Sequence, residues 1–174
     1  MTSQTIDVKQ ALRTSSFLQA LSPGDLDKLA DIAQLHTVPA GTVIYQEGQL
    51  CDDVHVVSSG LIGLDMCMPR QGCTRILTVG PGELLGWSAL LAEGRMSVRA
   101  TATSDSTLIG LPARQLRQLC DDDHDIGYAV MQQISQALSR RLLSTRLQML
   151  DMFRETQPVA NPPHRTAFTG ASHS

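Results

Sequence analysis

The chain reads as mainly β: an antiparallel β jelly-roll barrel with flanking helices and a long C-terminal helix. Three observations predict this. Between Pro39 and Pro112, glycine-marked turns recur at Gly41, Gly48, Gly60, Gly82 and Gly86, where glycine supplies backbone angles that other residues reach only with strain. Short runs of strand character lie between those turns, with no long helical pattern among them. Past Pro112 the apolar residues adopt helical spacing and end in one long stretch.

Length and composition set the frame. A chain of 174 residues suits one domain with a true core and one appendage. Its hydrophobic share of 42% excludes wholesale disorder, and its 3% of aromatics leaves the core to Leu, Ile, Val, Ala and Met. A net charge of −3 gives no electrostatic reason to expect nucleic-acid binding. No apolar run is long enough to span a membrane, and Met1-Thr2-Ser3-Gln4-Thr5 lacks the features of a secretion signal. A cytoplasmic protein is expected.

Residues 1–20 form a leader with weak helical character from Ile6 to Leu18. Residues 21–120 carry the barrel. They open on Ser22-Pro23-Gly24-Asp25, which offers a capping serine, a proline at the first helical position and an acid three residues on. Leu26, Leu29, Ala30, Ile32 and Ala33 continue that helix to about Leu35. Strands are predicted at Thr42–Tyr45 and Val54–Val57. In Leu61–Met68, Ile62, Leu64, Met66 and Met68 alternate with Gly63, Asp65 and Cys67, the period of a half-buried strand. Pro69 to Gly72 turns the chain into a partner strand, Thr74–Val79, and a second pair is expected from Ser97–Thr103 and Thr107–Leu111.

A helical turn from Ala113 to Cys120 follows. Asp121-Asp122-Asp123 then places negative charge where a helix start favours it. Residues 121–153 make the long helix, running from about His124 to Phe153 and about 45 Å in length. Met131, Ile134, Leu138, Leu142, Thr145, Met149 and Met152 keep three-and-four spacing, the mark of a helix that pairs with another helix. A homodimer through residues 125–153 is expected. Residues 154–174, broken by Pro158, Pro162 and Pro163, read as a disordered tail.

Cys51, Cys67, Cys73 and Cys120 are widely spaced, without a Cys-x-x-Cys pair, and read as buried apolar residues or free thiols rather than disulfides. His36, His55, His124, His164 and His173 are scattered without a His-x-His pair, which argues against a metal-dependent jelly-roll enzyme. No metal site and no catalytic residue is predicted. His55, Cys51 and Cys73 are the weak candidates for a haem or redox sensor.

In this order these residues resemble the cyclic-nucleotide-binding domain of the catabolite-activator and Fnr (Crp/Fnr) regulator family, from about Phe17 to Phe153. Pro39-Ala40-Gly41-Thr42-Val43-Ile44-Tyr45-Gln46-Glu47-Gly48 is similar to the family's first hairpin. Pro81-Gly82-Glu83-Leu84-Leu85-Gly86 resembles the approach to its phosphate-binding cassette, and Arg140-Arg141-Leu142 a trio of its long helix. The resemblance implies a jelly roll with a dimerising helix, a regulatory role without catalysis, and a cyclic nucleotide as effector (cyclic AMP, cyclic GMP or a cyclic dinucleotide).

In nucleotide-binding members, a Gly-Glu pair opens a short helical turn, the glutamate holds the ribose hydroxyl and an arginine on the next loop pairs with the phosphate. The corresponding residues here are Gly86-Trp87, with Ser88 and Ala89 behind them and Arg95 and Ser97 ahead. Thr145 stands where members reach the nucleotide base. Gly86, Trp87, Ser88, Ala89, Arg95, Ser97 and Thr145 are therefore the candidate ligand-binding residues. Trp87 in place of the acid, and Met96 where small residues are usual, depart from the pattern. Loss of a charged hydrogen bond costs about 1.5–3 kcal/mol, or roughly ten- to a hundredfold in affinity, and Trp87 would instead fill the pocket or stack on a flat ligand.

After Phe153 only 21 residues follow in this sequence, too few for a basic helix-turn-helix module, so direct DNA binding is not expected. The reading is a stand-alone sensor that binds a small anionic effector and signals through its dimer helix, with a protein partner as an open alternative route. The competing reading is a structural or interaction module whose nucleotide pocket is degenerate.

Overall fold

The structure, a computed structural model, describes residues 8–13, 21–68, 70, 72–91 and 94–155, with side chains as far as residue 147. The elements, in chain order, are α1 (8–13), α2 (Pro23–Ile32), β1 (Gln34–Val38), β2 (Val43–Tyr45), β3 (Asp53–Ser59), β4 (Ile62–Met68), β5 (Gly72–Val79), β6 (Leu84–Leu85), α3 (Ser88–Leu91), β7 (Arg99–Ala102), β8 (Ser106–Pro112), α4 (Ala113–Asp122) and α5 (His124–Glu155). Most of the expected leader and the expected tail lie outside the described residues.

The strands form two four-stranded antiparallel sheets, β1-β8-β3-β6 and β2-β7-β4-β5. This is a jelly-roll arrangement of two facing sheets rather than a closed barrel. Val54, Val56, Ile62, Leu64, Ala100, Ala102, Ile109 and Leu111 fill the space between the sheets. The expected pairing of the Ser97–Thr103 and Thr107–Leu111 segments is corrected by this topology. β7 pairs with β2 and β4, whereas β8 pairs with β1 and β3. The turn between β7 and β8 carries the chain from one sheet to the other, so neighbours in sequence are not neighbours in a ladder. Gly60, just past β3, lies close against the paired strand β8: at φ +86° a Cβ there would lie 2.1 Å from Ser106 Oγ.

Ser22 caps α2 by accepting from the Asp25 amide at 3.2 Å, with Pro23 in the first turn as predicted. The helix stops at Ile32, because the chain turns at Ala33 to enter β1, which pairs with β8 from Gln34↔Gly110 to Val38↔Ser106. Tertiary pairing overrides the weak helical continuation to Leu35. β8, buried at Leu108, Ile109, Gly110 and Leu111, takes α2 and α4 on its outer side.

The β4–β5 hairpin departs from simple alternation. Asp65, expected on the polar face, is 8% exposed because it forms an ion pair with Arg75 across the hairpin. Met66 and Met68, expected on the buried face, are 44% and 47% exposed. The register sets Cys67 opposite Cys73, with Cα atoms 4.0 Å apart, and the two form a disulfide. This corrects the expectation of thiols: strand pairing, not sequence spacing, brings the two sulfurs together. Arg99, on the adjacent strand, holds its Nη1 3.8 Å from Cys73 Sγ. Cys51 and Cys120 are free and half-buried, and burial pushes both thiols up.

α5 runs for 32 residues, about 48 Å at ~1.5 Å per residue. Its start is capped by Asp123, whose carboxylate accepts from the amides of Asp125 at 3.1 Å and Ile126 at 3.3 Å. Ile126, Ala129, Val130 and Ile134 are buried against the body. Tyr128, Met131, Leu138 and Leu142 project from the adjoining side and are 71%, 50%, 43% and 55% exposed. The side chains of Met149 and Met152, expected on the same seam, lie outside the described residues. Among the described residues, no helix is long and apolar enough to cross a membrane.

Candidate functional site

The site is built where β6 hands the chain to α3. β6 pairs with β3 through His55↔Leu85 and Val56↔Leu84, and Gly86 follows at φ +73°. A Cβ on Gly86 would stand 3.1 Å from the Asp53 carbonyl oxygen and 3.7 Å from both the His55 ring and the Tyr45 ring. A side chain there meets both strain and crowding, so glycine is required. The backbone then closes into a turn, with the Ala89 amide donating to the Gly86 carbonyl at 3.1 Å and the Leu90 amide to the Trp87 carbonyl at 3.0 Å. Ser88 and Ala89 are buried.

The opposite wall is the segment before β7. Met96 and Val98 are buried beneath it, and the Met96 amide donates to the Gln49 carbonyl at 2.9 Å while its own carbonyl accepts from the Gly48 amide at 2.7 Å. α5 forms the roof. Tyr45, Gly86, Trp87, Ser88, Met96, Ser97, Val98 and Arg141 line a cleft packed too closely to admit even a water molecule, far from the roughly 300–1,000 Å3 of small-molecule pockets. The closure has a visible cause. The Arg141 guanidinium lies over the Trp87 ring, 5.0 Å from its centroid, a favourable cation–π geometry.

Of the predicted ligand residues, the structure brings Gly86, Trp87, Ser88 and Ser97 together around this space, with Ala89 buried in the turn behind them. It does not bring Arg95 or Thr145 to it. Arg95 is exposed and donates from Nη1 to the Gly48 carbonyl at 3.2 Å. Thr145 is exposed one helical turn beyond Arg141 and donates its hydroxyl to the Arg141 carbonyl at 2.9 Å. Tyr45, Met96, Val98 and Arg141 complete the wall without having been singled out for it. Arg141 had one legible signal, its place in the Arg140-Arg141-Leu142 trio.

The polar chemistry of the site is one-sided. Burial pushes the Tyr45 phenol up to about 12, against the pull of Arg141 and a hydrogen bond with the Gly86 backbone. Burial lowers the nearby His55 to about 4, so both groups are neutral at pH 7. Burial also lowers Arg141, offset in part by Tyr45, yet a guanidinium remains charged near neutrality. Trp87 Nε1 is buried and has no hydrogen-bond partner among the described residues. None of the lining residues is acidic.

Glu83, the acid nearest Gly86 in sequence, faces elsewhere. Its carboxylate accepts from the Gly80 amide at 2.8 Å and from Arg140 Nη1 at 2.5 Å. Two consecutive arginines of α5 thus fasten the helix, one to Glu83 and one to Trp87. Among the described residues, no group of three or more His, Cys, Asp and Glu side chains could hold a metal ion. His36 and His55 meet edge-on with ring centroids 6.2 Å apart.

Comparison with known proteins agrees with this geometry. The family described as "Cyclic nucleotide-binding domain" matches residues 35–123. The chain is 30% identical over 100 residues to the "Cyclic AMP receptor protein" of Thermus thermophilus, a match covering 58% of this chain and 46% of that protein. The crystal structure of the Thermus thermophilus catabolite activator protein superposes with TM-score 0.65 and 27% identity, over 80% of this chain and 63% of that one. A cyclic nucleotide-binding protein of Geobacter metallireducens shares the fold, with TM-score 0.67 and 23% identity over 82% of this chain and 99% of that one. The chain thus spans less than two thirds of the length of the Thermus relative.

Proposed function

Because the chain belongs to the cyclic nucleotide-binding domain family, we propose that it is a regulatory sensor domain whose effector is a small anion bound between α3 and β7. Binding there changes the hold on α5, and α5 passes the change to a second copy of the chain. The observation that carries this reading is the contact between Arg141 of α5 and Trp87 of the site. An effector in that space must alter this contact, and a ligand shifts a conformational balance only through such a difference between states.

The exposed face of α5 supports the second half of the reading. Tyr128, Met131, Leu138 and Leu142 succeed one another at spacings of three, seven and four, which sets them on one side of the helix. A contiguous apolar strip of this kind favours burial against another helix. Homodimerisation through residues 125–153 removes it from water. The role is regulatory and involves no catalysis.

Calorimetric titration with cyclic AMP, cyclic GMP and cyclic di-GMP, paired with light scattering, tests both halves. Heat with at least one of them and a dimeric mass are expected. No heat with any would favour the second reading, an interaction module whose pocket is permanently filled by its own side chains. The small volume around Trp87 and Arg141 is the observation on its side.

A further inference from the structure

We propose that Arg141, not Arg95, supplies the positive charge that receives the effector's anionic group, and that the site does not read the effector's sugar hydroxyls. The inference rests on the proposed sensor reading and specifies how its pocket recognises a ligand. Arg141 is half-buried, and no carboxylate pairs with it among the described residues. Its described side-chain neighbours are the Trp87 ring and the neutral Tyr45 phenol. A guanidinium taken this far from water without an anionic partner retains its full capacity for a bidentate bond to phosphate.

The donors around it point to the same ligand. Trp87 Nε1 is buried and, among the described residues, unpartnered, and an orphaned buried donor favours an arriving acceptor. Ser88 and Ser97 add hydroxyls to the same wall, and Tyr45 stays a protonated phenol there. The wall therefore offers one cation and several donors but no carboxylate. A phosphate satisfies those groups. A ribose hydroxyl gains nothing comparable, because the acid that would accept from it is replaced by an indole. The Trp87 ring, once Arg141 turns from it toward the phosphate, is free to stack on a flat base. Arg95 cannot serve from its position here, since it is exposed and donates to the Gly48 carbonyl.

The chain has one tryptophan, so its fluorescence reports on this contact alone. The experiment titrates the full chain with cyclic AMP, 2′-deoxy cyclic AMP and cyclic di-GMP, following Trp87 emission. The wild type, Arg141→Gln, Arg141→Lys and Arg95→Gln are compared, each checked for folding by a thermal melt. Arg141→Gln should weaken binding by about ten- to a hundredfold, as expected for loss of a charge-assisted bond. Arg141→Lys should restore part of it and keep the salt dependence, which a purely structural role of the side chain would not do. Arg95→Gln should change affinity by less than about threefold, and the deoxy analogue should match cyclic AMP to within about threefold. If Arg141→Gln does not fold, the lysine variant and the deoxy comparison decide the question. Binding that survives loss of Arg141 but not of Arg95 would overturn the inference and leave the sensor reading standing. Failure of every probe to bind the wild type would overturn both.

Discussion

The first three turns of α5 and the turns beyond them obey different rules. Ile126, Ala129, Val130 and Ile134 are buried to 4% exposure or less, so this portion is part of the domain core. Farther along, Leu138, Leu142, Leu143 and Leu147 are 43–60% exposed, although their side chains are just as apolar. Between the two portions sit Arg140 and Arg141, tied to Glu83 and Trp87. One helix thus serves as a wall of the domain at its start and offers an uncovered surface beyond. The difference bears on the proposed signal: among the described residues, the arginine pair is the farthest side-chain tie between the domain and the helix.

The largest effect should come from the anchored portion. Ile134→Ala removes a fully packed side chain and should cost about 2–5 kcal/mol of unfolding free energy in a denaturant titration. A loss below about 1 kcal/mol would mean that this segment is not core.

Acid should act on the same side of the divide. Burial holds His55 at about 4, below its ordinary 6.5. The unfolded chain therefore takes up a proton that the folded chain refuses between those values, and stability falls as pH drops from about 6.5 toward 4. At about 1.4 kcal/mol per pH unit of displacement, His55 accounts for as much as about 3 kcal/mol of that loss. Melting curves at pH 7 and pH 4.5 should show a larger drop for the wild type than for His55→Gln, and equal drops would refute the assignment.

The free portion should answer differently. Leu138→Glu combined with Leu142→Glu should weaken self-association at least about tenfold, equivalent to about 1.4 kcal/mol. Measured on the dilute protein, its unfolding free energy should move by less than about 0.5 kcal/mol, as for other exposed substitutions. Sedimentation equilibrium reads the first and denaturant titration the second. An unchanged dimer would sink the proposed interface.

The smallest effect belongs to the boundary itself. Glu83→Gln keeps an acceptor for the Gly80 amide but loses the charge opposite Arg140. An exposed pair of this kind contributes about 0.2–1 kcal/mol, and the difference should shrink in 1 M salt. A salt-independent loss would show that the glutamate matters through the turn and not through the arginine.

Much of this was legible in the residues. The Ser22-Pro23 start of α2, the hairpin strands on either side of Pro69–Gly72, and the helix from His124 onward all stand where propensity and periodicity put them. β1 and β6 were not legible. The start of Gln34–Val38 reads as the end of an apolar helical stripe that runs to about Leu35, and Leu84–Leu85 is two residues long; each exists only because another strand lies beside it. The candidate site divided in the same way. Gly86, Trp87 and Ser88 are adjacent in sequence and were found together, whereas Arg141 is 54 positions from Trp87 and nothing local marks the contact.

By itself, then, the order of residues determined where the chain turns and which stretches are strands or helices. Those properties depend on backbone angles and on apolar spacing within a few residues. Tertiary structure alone decided that β7 and β8 belong to different sheets, that Cys67 and Cys73 are joined, that Arg95 turns to Gly48, and that Arg141 closes the pocket over Trp87. Each of these is a meeting of groups brought together by sheet register or by the pose of α5, and such a meeting depends on how the whole chain packs rather than on the residues beside it.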